Sequence, residues 1–374
     1  MSIQGDEAGA GGAANKGKTA IPVLLRREAG YRKPPQNTEI IYMTRSFTGM
    51  PFDDIRNLLD TLPPAGEQAG DDWRARNATL AKPVGSLGRL EEIGVHLARW
   101  QSMAKPTVDR PLVAIFAATH EVAKRVPSGR QASDTRAAVE LMAAGGAAVN
   151  QLALAQNAGL KVFDLALDIP TPDICVEDAL SEKACAATMA FGMESIAGGT
   201  DLLCVGAEGG GNKIVAAAVV AALYGDKPQD WCDDETLIKT LDLVQQTHDL
   251  TTENPLEILR RVGGRELAAI AGAIIAARFQ RIPVLLDGFV SCAAAAVLHA
   301  VEPTALDHCL AAHASGSVPH AKLLKKLGKI PLIEAGITLE DGTGAALALG
   351  LVKAASACHT EMATSAQAGT TLNA

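Results

Sequence analysis

The stretch that most limits what this chain can fold into is 202–223, LLCVGAEGGGNKIVAAAVVAAL. Its apolar run 202–205, bounded by Gly206, predicts a buried strand. Gly206, Gly209, Gly210 and Gly211 follow as a loop, and glycine tolerates positive φ and close backbone approach. Asn212 and Lys213 then open an alanine-rich segment with helical propensity. Strand, glycine loop and helix N-terminus make an anion site, because free N–H groups and the positive end of the dipole converge there. Two readings stay open from these residues: a loop that holds a phosphate, and a tight βα turn with nothing bound. The spacing is neither GxGxxG nor GxxxxGK(S/T), so neither a dinucleotide fingerprint nor a Walker loop is supported.

The rest of the chain alternates in the same way. Apolar runs at 112–118, 160–167, 282–287 and 307–313, with a short one at 331–337, read as strands. Helical stretches fall between them, at 133–155 (interrupted at Gly145-Gly146), 185–197, 237–246, 255–261, 266–279, 291–300 and 343–357. This order predicts an α/β fold with a mainly parallel sheet and helices on both faces. In such sheets ligands bind beyond the carboxyl ends of the strands. That rule lines up Thr119, His120, Asp168, the 206–213 loop, Asp287, Gly288 and the loop after His313 along one edge. Three short helices, 52–62, 73–80 and 90–101, have too little apolar surface to fold alone and are expected to pack with the C-terminal end. The expected division is a disordered extension over 1–42, with Met43 reading as an ordinary start, then a small helical part over 43–104. A large α/β domain follows over 105–342, and a C-terminal helix and tail over 343–374 return to the helical part.

Composition removes several function classes. Apolar residues make up 48% of the chain but aromatics only 3%, so the core is built of small aliphatics and no base-stacking surface is expected. A formal charge of −8 without a basic block argues against nucleic acid as a partner. Seven scattered cysteines without CxxC spacing, and no recognisable signal peptide, suggest a reduced, cytoplasmic protein. No uninterrupted apolar run has the length of a membrane span, so no membrane association is expected.

Glu340 and Asp341 stand just before the last helix, in LEDGTG. They read either as a helix entry favoured by the dipole, or as a general base in a glycine-flanked loop that lets substrate approach. His120, directly after a strand, reads as a hydrogen-bonded structural histidine or as a site residue. Lys239 reads as a solvated helical lysine or as an arm that reaches a phosphate. His308, His313 and His320 do not share a helical face, and no Cys or carboxylate completes a metal set, so neither metal nor cofactor is expected. GxSxG is absent, which leaves covalent nucleophilic catalysis unsupported.

Longer motifs carry a family resemblance. LAKPVGSLGRLEEIG at 80–94, AGGAAVNQLAL at 144–154, GLKVFDLALD at 159–168 and ATMAFGMESIAGGTDLLCVG at 187–206 are the first of them. PLEILRRVGGRELAAIAGAIIAAR at 255–278, IPVLLDGFVSCAAAAVL at 282–298, DGTGAALALGLVKAA at 341–355 and EMATSAQAG at 361–369 complete the set. Over 43–369 the chain resembles the nicotinate-nucleotide:5,6-dimethylbenzimidazole phosphoribosyltransferase family. The resemblance implies a six-stranded, mostly parallel sheet, a small helical domain built from both chain ends, and a homodimer. It implies transfer of phosphoribose from nicotinate mononucleotide to a benzimidazole nitrogen, without a metal, in synthesis of the cobalamin lower ligand.

Carried over by residue, the resemblance assigns the base to Asp341, with Glu340 beside it. It gives phosphate and ribose binding to Gly209, Gly211, Asn212, Lys213 and Lys239, and base binding to Thr119, His120, Gln131 and Leu339. The pattern departs from the family at several of these points. LEDGTG replaces LGEG(T/S)G, so the base is one methylene shorter. GAEGGGNK replaces GEMGIGNT, AHASGSVPH replaces SHxSAEPGH, and ATHEVA puts Glu121 where a glycine is usual. Such departures imply an alternative: a catalytically impaired relative that binds ligand or serves as one half of a heterodimer.

Overall fold

The unbroken apolar run PLVAIFA forms an interior strand of a parallel sheet, because a strand covered on both faces has no polar side to alternate. A computed structural model describes residues 50–126, 129–232, 234–250 and 254–372; the expected extension over 1–42 and the start at Met43 lie outside them. Its strands are β1 (Pro111–Ala117), β2 (Gly159–Asp164), β3 (Leu202–Glu208), β4 (Val284–Leu286) and β5 (Cys309–Ala311). They pair in the order β2-β1-β3-β4-β5, each pair parallel. The chain leaves β1 towards one side, returns from β2, and continues on the other side with β3. The crevice between the carboxyl ends of β1 and β3 is therefore the switch point where a doubly wound sheet binds ligands.

The helices follow in chain order: α1 (Pro51–Leu59), α2 (Glu67–Asn77), α3 (Arg89–Gln101), α4 (Ala132–Ala143), α5 (Ala148–Ala155), α6 (Glu182–Glu194) and α7 (Asn212–Tyr224). After them come α8 (Glu235–Thr247), α9 (Pro255–Val262), α10 (Arg265–Phe279), α11 (Gly288–Val301), α12 (Val318–Lys326), α13 (Thr343–Glu361) and α14 (Ser365–Ala368). The period-2 pleat of β1 sorts them into two layers. Leu112, Ala114 and Phe116 face a core shared with α6, α7 and α9 to α11, whereas Val113 and Ile115 face α3, α5 and α13. Small residues let these helices meet at their backbones. A Cβ on Gly192 of α6 would lie 1.9 Å from the Ala269 carbonyl of α10, and one on Gly272 of α10 would lie 1.9 Å from the Met189 carbonyl of α6. A core of this kind has little room for rings, which accounts for the low aromatic content.

α1 places Phe52, Ile55 and Leu59 in the larger core, whereas α2 and α3 pack with the C-terminal helix. There Trp73 stacks on His359 with centroids 4.5 Å apart, and Leu80 bridges Thr364. Within the KPVGSLGRLE stretch, the buried Lys82 ammonium donates to Glu91 at 2.9 Å, so this motif closes a loop over the start of α3.

Two expectations about the sheet need correction. The sheet has five strands among the described residues, not six: the 331–337 segment runs beside the end of β5 but pairs only at Leu332 and Ile333, through three backbone hydrogen bonds around the His313–Ile333 bridge. Pro331 at its start has no N–H to give. β3 does not end at Gly206 but runs on to Glu208, so Gly206 is a strand residue and the loop proper is 209–211. By length and composition 132–155 could cross a membrane, with 28% of its apolar window buried, yet Gly145-Gly146 breaks it into α4 and α5.

Candidate active site

The glycine turn sits at the switch point because nothing larger fits. A Cβ on Gly209 would lie 2.4 Å from the Ala118 carbonyl beyond β1, and one on Gly210 would lie 2.6 Å from the Gln131 backbone. The Gly210 N–H donates to Thr135 Oγ1 at 2.7 Å, which fixes the turn to α4. Gly211 adopts φ +91° as the N-cap of α7, a conformation that favours glycine. Asn212 is buried in the first turn of α7, while the Lys213 side chain is 58% exposed.

A second loop comes to the same place from far along the chain. Its 340–342 backbone lies directly on β3: a Cβ on Gly206 would meet Gly342 N at 2.4 Å and Asp341 C at 2.7 Å. Ala207 N–H donates to the Glu340 carbonyl at 3.0 Å. Glu340 then packs over Gly288 at the start of α11, accepts from Val290 N–H at 3.4 Å, and points its Oε1 at Lys213 Nζ, 3.6 Å away. Asp341 Oδ1 accepts from Thr343 N–H at 3.1 Å and from Thr343 Oγ1–H at 2.5 Å. Both carboxyls are buried, and burial pushes each above the usual carboxylate range. Lys213 opposes the shift at Glu340, the Thr343 hydroxyl opposes it at Asp341, and Asp287 adds to it at both.

Glu208 ends β3 beside the turn, buried, with Arg130 donating to its Oε2 at 2.9 Å. Burial raises this carboxyl too, against the Arg130 hydrogen bond, and the Asp341 charge contributes to the rise. Asp287, wholly buried after β4, accepts from Gly342 N–H at 2.8 Å and Ala345 N–H at 2.6 Å. The crevice thus gathers Glu208, Asp287, Glu340 and Asp341, and two ion pairs, Arg130 with Glu208 and Lys213 with Glu340, span it.

The other singled-out residues are placed as follows. Thr119 is buried and donates to the Leu167 carbonyl at 3.0 Å. His120 is buried with both nitrogens engaged, Nε2 with Glu266 at 2.7 Å and Nδ1 with Thr171 at 2.5 Å. It supports the turn from below, since a Cβ on Gly211 would lie 3.0 Å from its own. Gln131 donates to the Ala123, Val126 and Gly129 carbonyls at 3.2, 3.3 and 3.0 Å. Leu339 is partly exposed at the rim. Lys239 lies on the solvent face of α8, its Nζ 4.0 Å from Glu235, and no hydrogen bond or ion pair among the described residues ties it to the crevice. Asp168, expected along the same edge, is solvent-exposed and pairs with Arg136. Two cavities, about 310 and 270 Å³, lie elsewhere, beside Trp73 and Lys82 and beside His96 and Lys329. Sequence reasoning missed Glu208 as a member of the cluster. A carboxylate abutting the glycine turn was the available signal, but its partner Arg130 lies 78 positions away.

A buried, proton-hungry carboxylate facing a lysine at a helix N-terminus suits group transfer from a phosphorylated substrate. A family model described as phosphoribosyltransferase matches residues 62–370. The chain belongs to this phosphoribosyltransferase family. A member from Methylocella silvestris is 55% identical over 327 residues, covering 85% of this chain and 96% of its own. One from Allorhizobium ampelinum is 56% identical over 335 residues, covering 87% of this chain and 98% of its own. Both are named nicotinate-nucleotide–dimethylbenzimidazole phosphoribosyltransferase. The phosphoribosyltransferase fold is also seen in the crystal structure of the nicotinate-nucleotide-dimethylbenzimidazole enzyme from Thermus thermophilus. That structure superposes with a TM-score of 0.75 at 33% identity, covering 81% of this chain and 98% of the other.

Proposed function

We propose that this phosphoribosyltransferase moves phosphoribose from nicotinate mononucleotide to 5,6-dimethylbenzimidazole or a related base, giving α-ribazole 5′-phosphate and nicotinate for the cobalamin lower ligand. The single observation that carries the reading is the meeting of the 340–341 carboxylates with Lys213 and the glycine turn across the β1/β3 crevice. Gly209, Gly211, Asn212 and Lys213 hold the phosphate and ribose at the N-terminus of α7, where backbone N–H groups and the ammonium favour an anion. The benzimidazole lies towards Gln131 and Leu339, over Thr119 and His120. One ring nitrogen attacks the anomeric carbon. The bond from that carbon to the pyridinium nitrogen breaks, its electron pair neutralising the pyridinium as nicotinate leaves. The proton on the other benzimidazole nitrogen passes to Asp341 or Glu340. A carboxyl raised by burial is the better acceptor, because its basicity lies closer to working pH. Incubation of the purified chain with both substrates should yield the nucleotide and equimolar nicotinate by liquid chromatography and mass spectrometry. Saturable binding of either substrate without product would overturn the assignment.

We further propose that the protein is a cytoplasmic homodimer. The seven free cysteines suit a reducing compartment. β2 is an edge strand with half-open faces, flanked by exposed Leu141, Leu154 and Phe191. An apolar edge of this kind is normally covered. Light scattering should give twice the chain mass, and Leu154→Glu should shift the population towards one chain; a monomeric parent protein would sink the idea.

A further inference from the structure

Asp287 occupies the N-cap of α11 yet makes no side-chain bond to its own helix. Both its oxygens instead accept N–H groups of another element, Gly342 at 2.8 Å and Ala345 at 2.6 Å, where the N-cap of α13 is a glycine with no side chain to offer. His313 stands behind it, wholly buried, with Nε2 3.4 Å from Asp287 Oδ1. Neither ring nitrogen of His313 makes a well-aligned hydrogen bond. Its ring fills the place of a side chain at Gly344, where a Cβ would lie 2.2 Å from His313 Cδ2. The first turn of α13, and with it the 340–342 loop, is gripped between an aspartate and an imidazole.

A buried polar group without a well-made hydrogen bond is costly, so this ring calls for a reason. We propose that Asp287 and His313 are a positioning pair: Asp287 suspends the 340–345 segment by two backbone N–H groups, and His313, seated against Gly344, sets an imidazole beside the carboxylates gathered beneath Glu340. The groups that face His313 are Asp287 from the start of α11, Glu340 from the loop and His320 from α12, while Lys213 on α7 acts on Glu340 and His320. Burial alone would push the His313 imidazole down, but the nearby Asp287 carboxylate and the Glu340 charge outweigh it and raise it. His320, buried and 6.0 Å away, is pushed down to about 4 and stays neutral, held by Ser315 at 3.0 Å.

The effect on turnover rests on the phosphoribosyl-transfer reading; the suspension of the loop does not. Asp287→Asn should raise amide hydrogen exchange at Gly342 and Ala345 about tenfold or more while exchange in β1 and β3 stays unchanged. It should lower kcat about 100-fold with KM for nicotinate mononucleotide nearly constant, since the loop is displaced and the anion site is not. His313→Gln should move the acid limb of the kcat/KM profile to higher pH, because the remaining carboxylates lose a neighbour that takes up positive charge as pH falls. Unchanged exchange at Gly342 and Ala345, or a KM that rises in step with the fall in kcat, would overturn the pair. If Asp287→Asn does not fold, the same exchange measurement on His313→Gln decides, with local exposure expected at Gly344 and Ala345. A wild-type protein without turnover would remove the proposed reaction and leave the exchange test standing.

Discussion

Asp341→Ala should lose roughly 10²- to 10⁴-fold in kcat, the range that general-base catalysis contributes. KM for nicotinate mononucleotide should hardly change, because the proposed phosphate site lies on the other loop. Glu340→Ala should act differently: its carboxylate faces Lys213 at 3.6 Å, so the loss should fall mainly on KM. If Glu340→Ala instead takes the whole loss in kcat, the proton acceptor is Glu340. The pH profile supplies a second check. Burial raises both carboxyls, so the base protonates at a higher pH than an exposed carboxylate would. Activity should therefore fall as pH drops through that raised value, with the acid limb above the ordinary carboxylate range. An acid limb at the position of a solvated carboxylate would show that neither group acts as the base in its buried setting.

Gly206→Ala should damage both stability and turnover. The added carbon would lie 2.4 Å from Gly342 N and 2.7 Å from Asp341 C, and both are backbone atoms that cannot swing aside. Overpacking of this kind costs about 1–3 kcal/mol of stability. The larger consequence is geometric: displacing a catalytic loop by about 1 Å can cost 100-fold in rate. Chemical denaturation and steady-state kinetics on one preparation would separate the two effects. A variant with full activity would mean that the 340–342 loop does not depend on β3 for its position.

The elements that periodicity can report were legible. Unalternating runs such as LVAIFAA gave β1, and the alanine-rich stretches gave α7, α10 and α13, because burial on all sides writes itself into local composition. The sixth strand is absent because a strand needs a partner along its whole length, and 331–337 pairs only at Leu332 and Ile333. Gly206 was placed in the loop because a glycine beside three others looks like turn chemistry. Its reason is a contact with Gly342, 136 positions away, which no local pattern encodes. Asp287 looked like a strand end at the ligand edge, and it is one, but its capping of a helix 55 positions on is visible only in three dimensions. The departures in LEDGTG and GAEGGGNK pointed to an impaired relative. Identity of 55% or more over most of the chain, together with the convergence of those same residues, favours the transferase.

The loop bearing Glu340 and Asp341 binds a strand laid down more than 130 residues before it, and the helix after it packs back on α3, near the other end of the chain. During synthesis the glycine turn is complete long before the carboxylates emerge. The two sides of the crevice can therefore meet only after the 340–342 loop has been made, so the centre closes as a long-range contact rather than a local one.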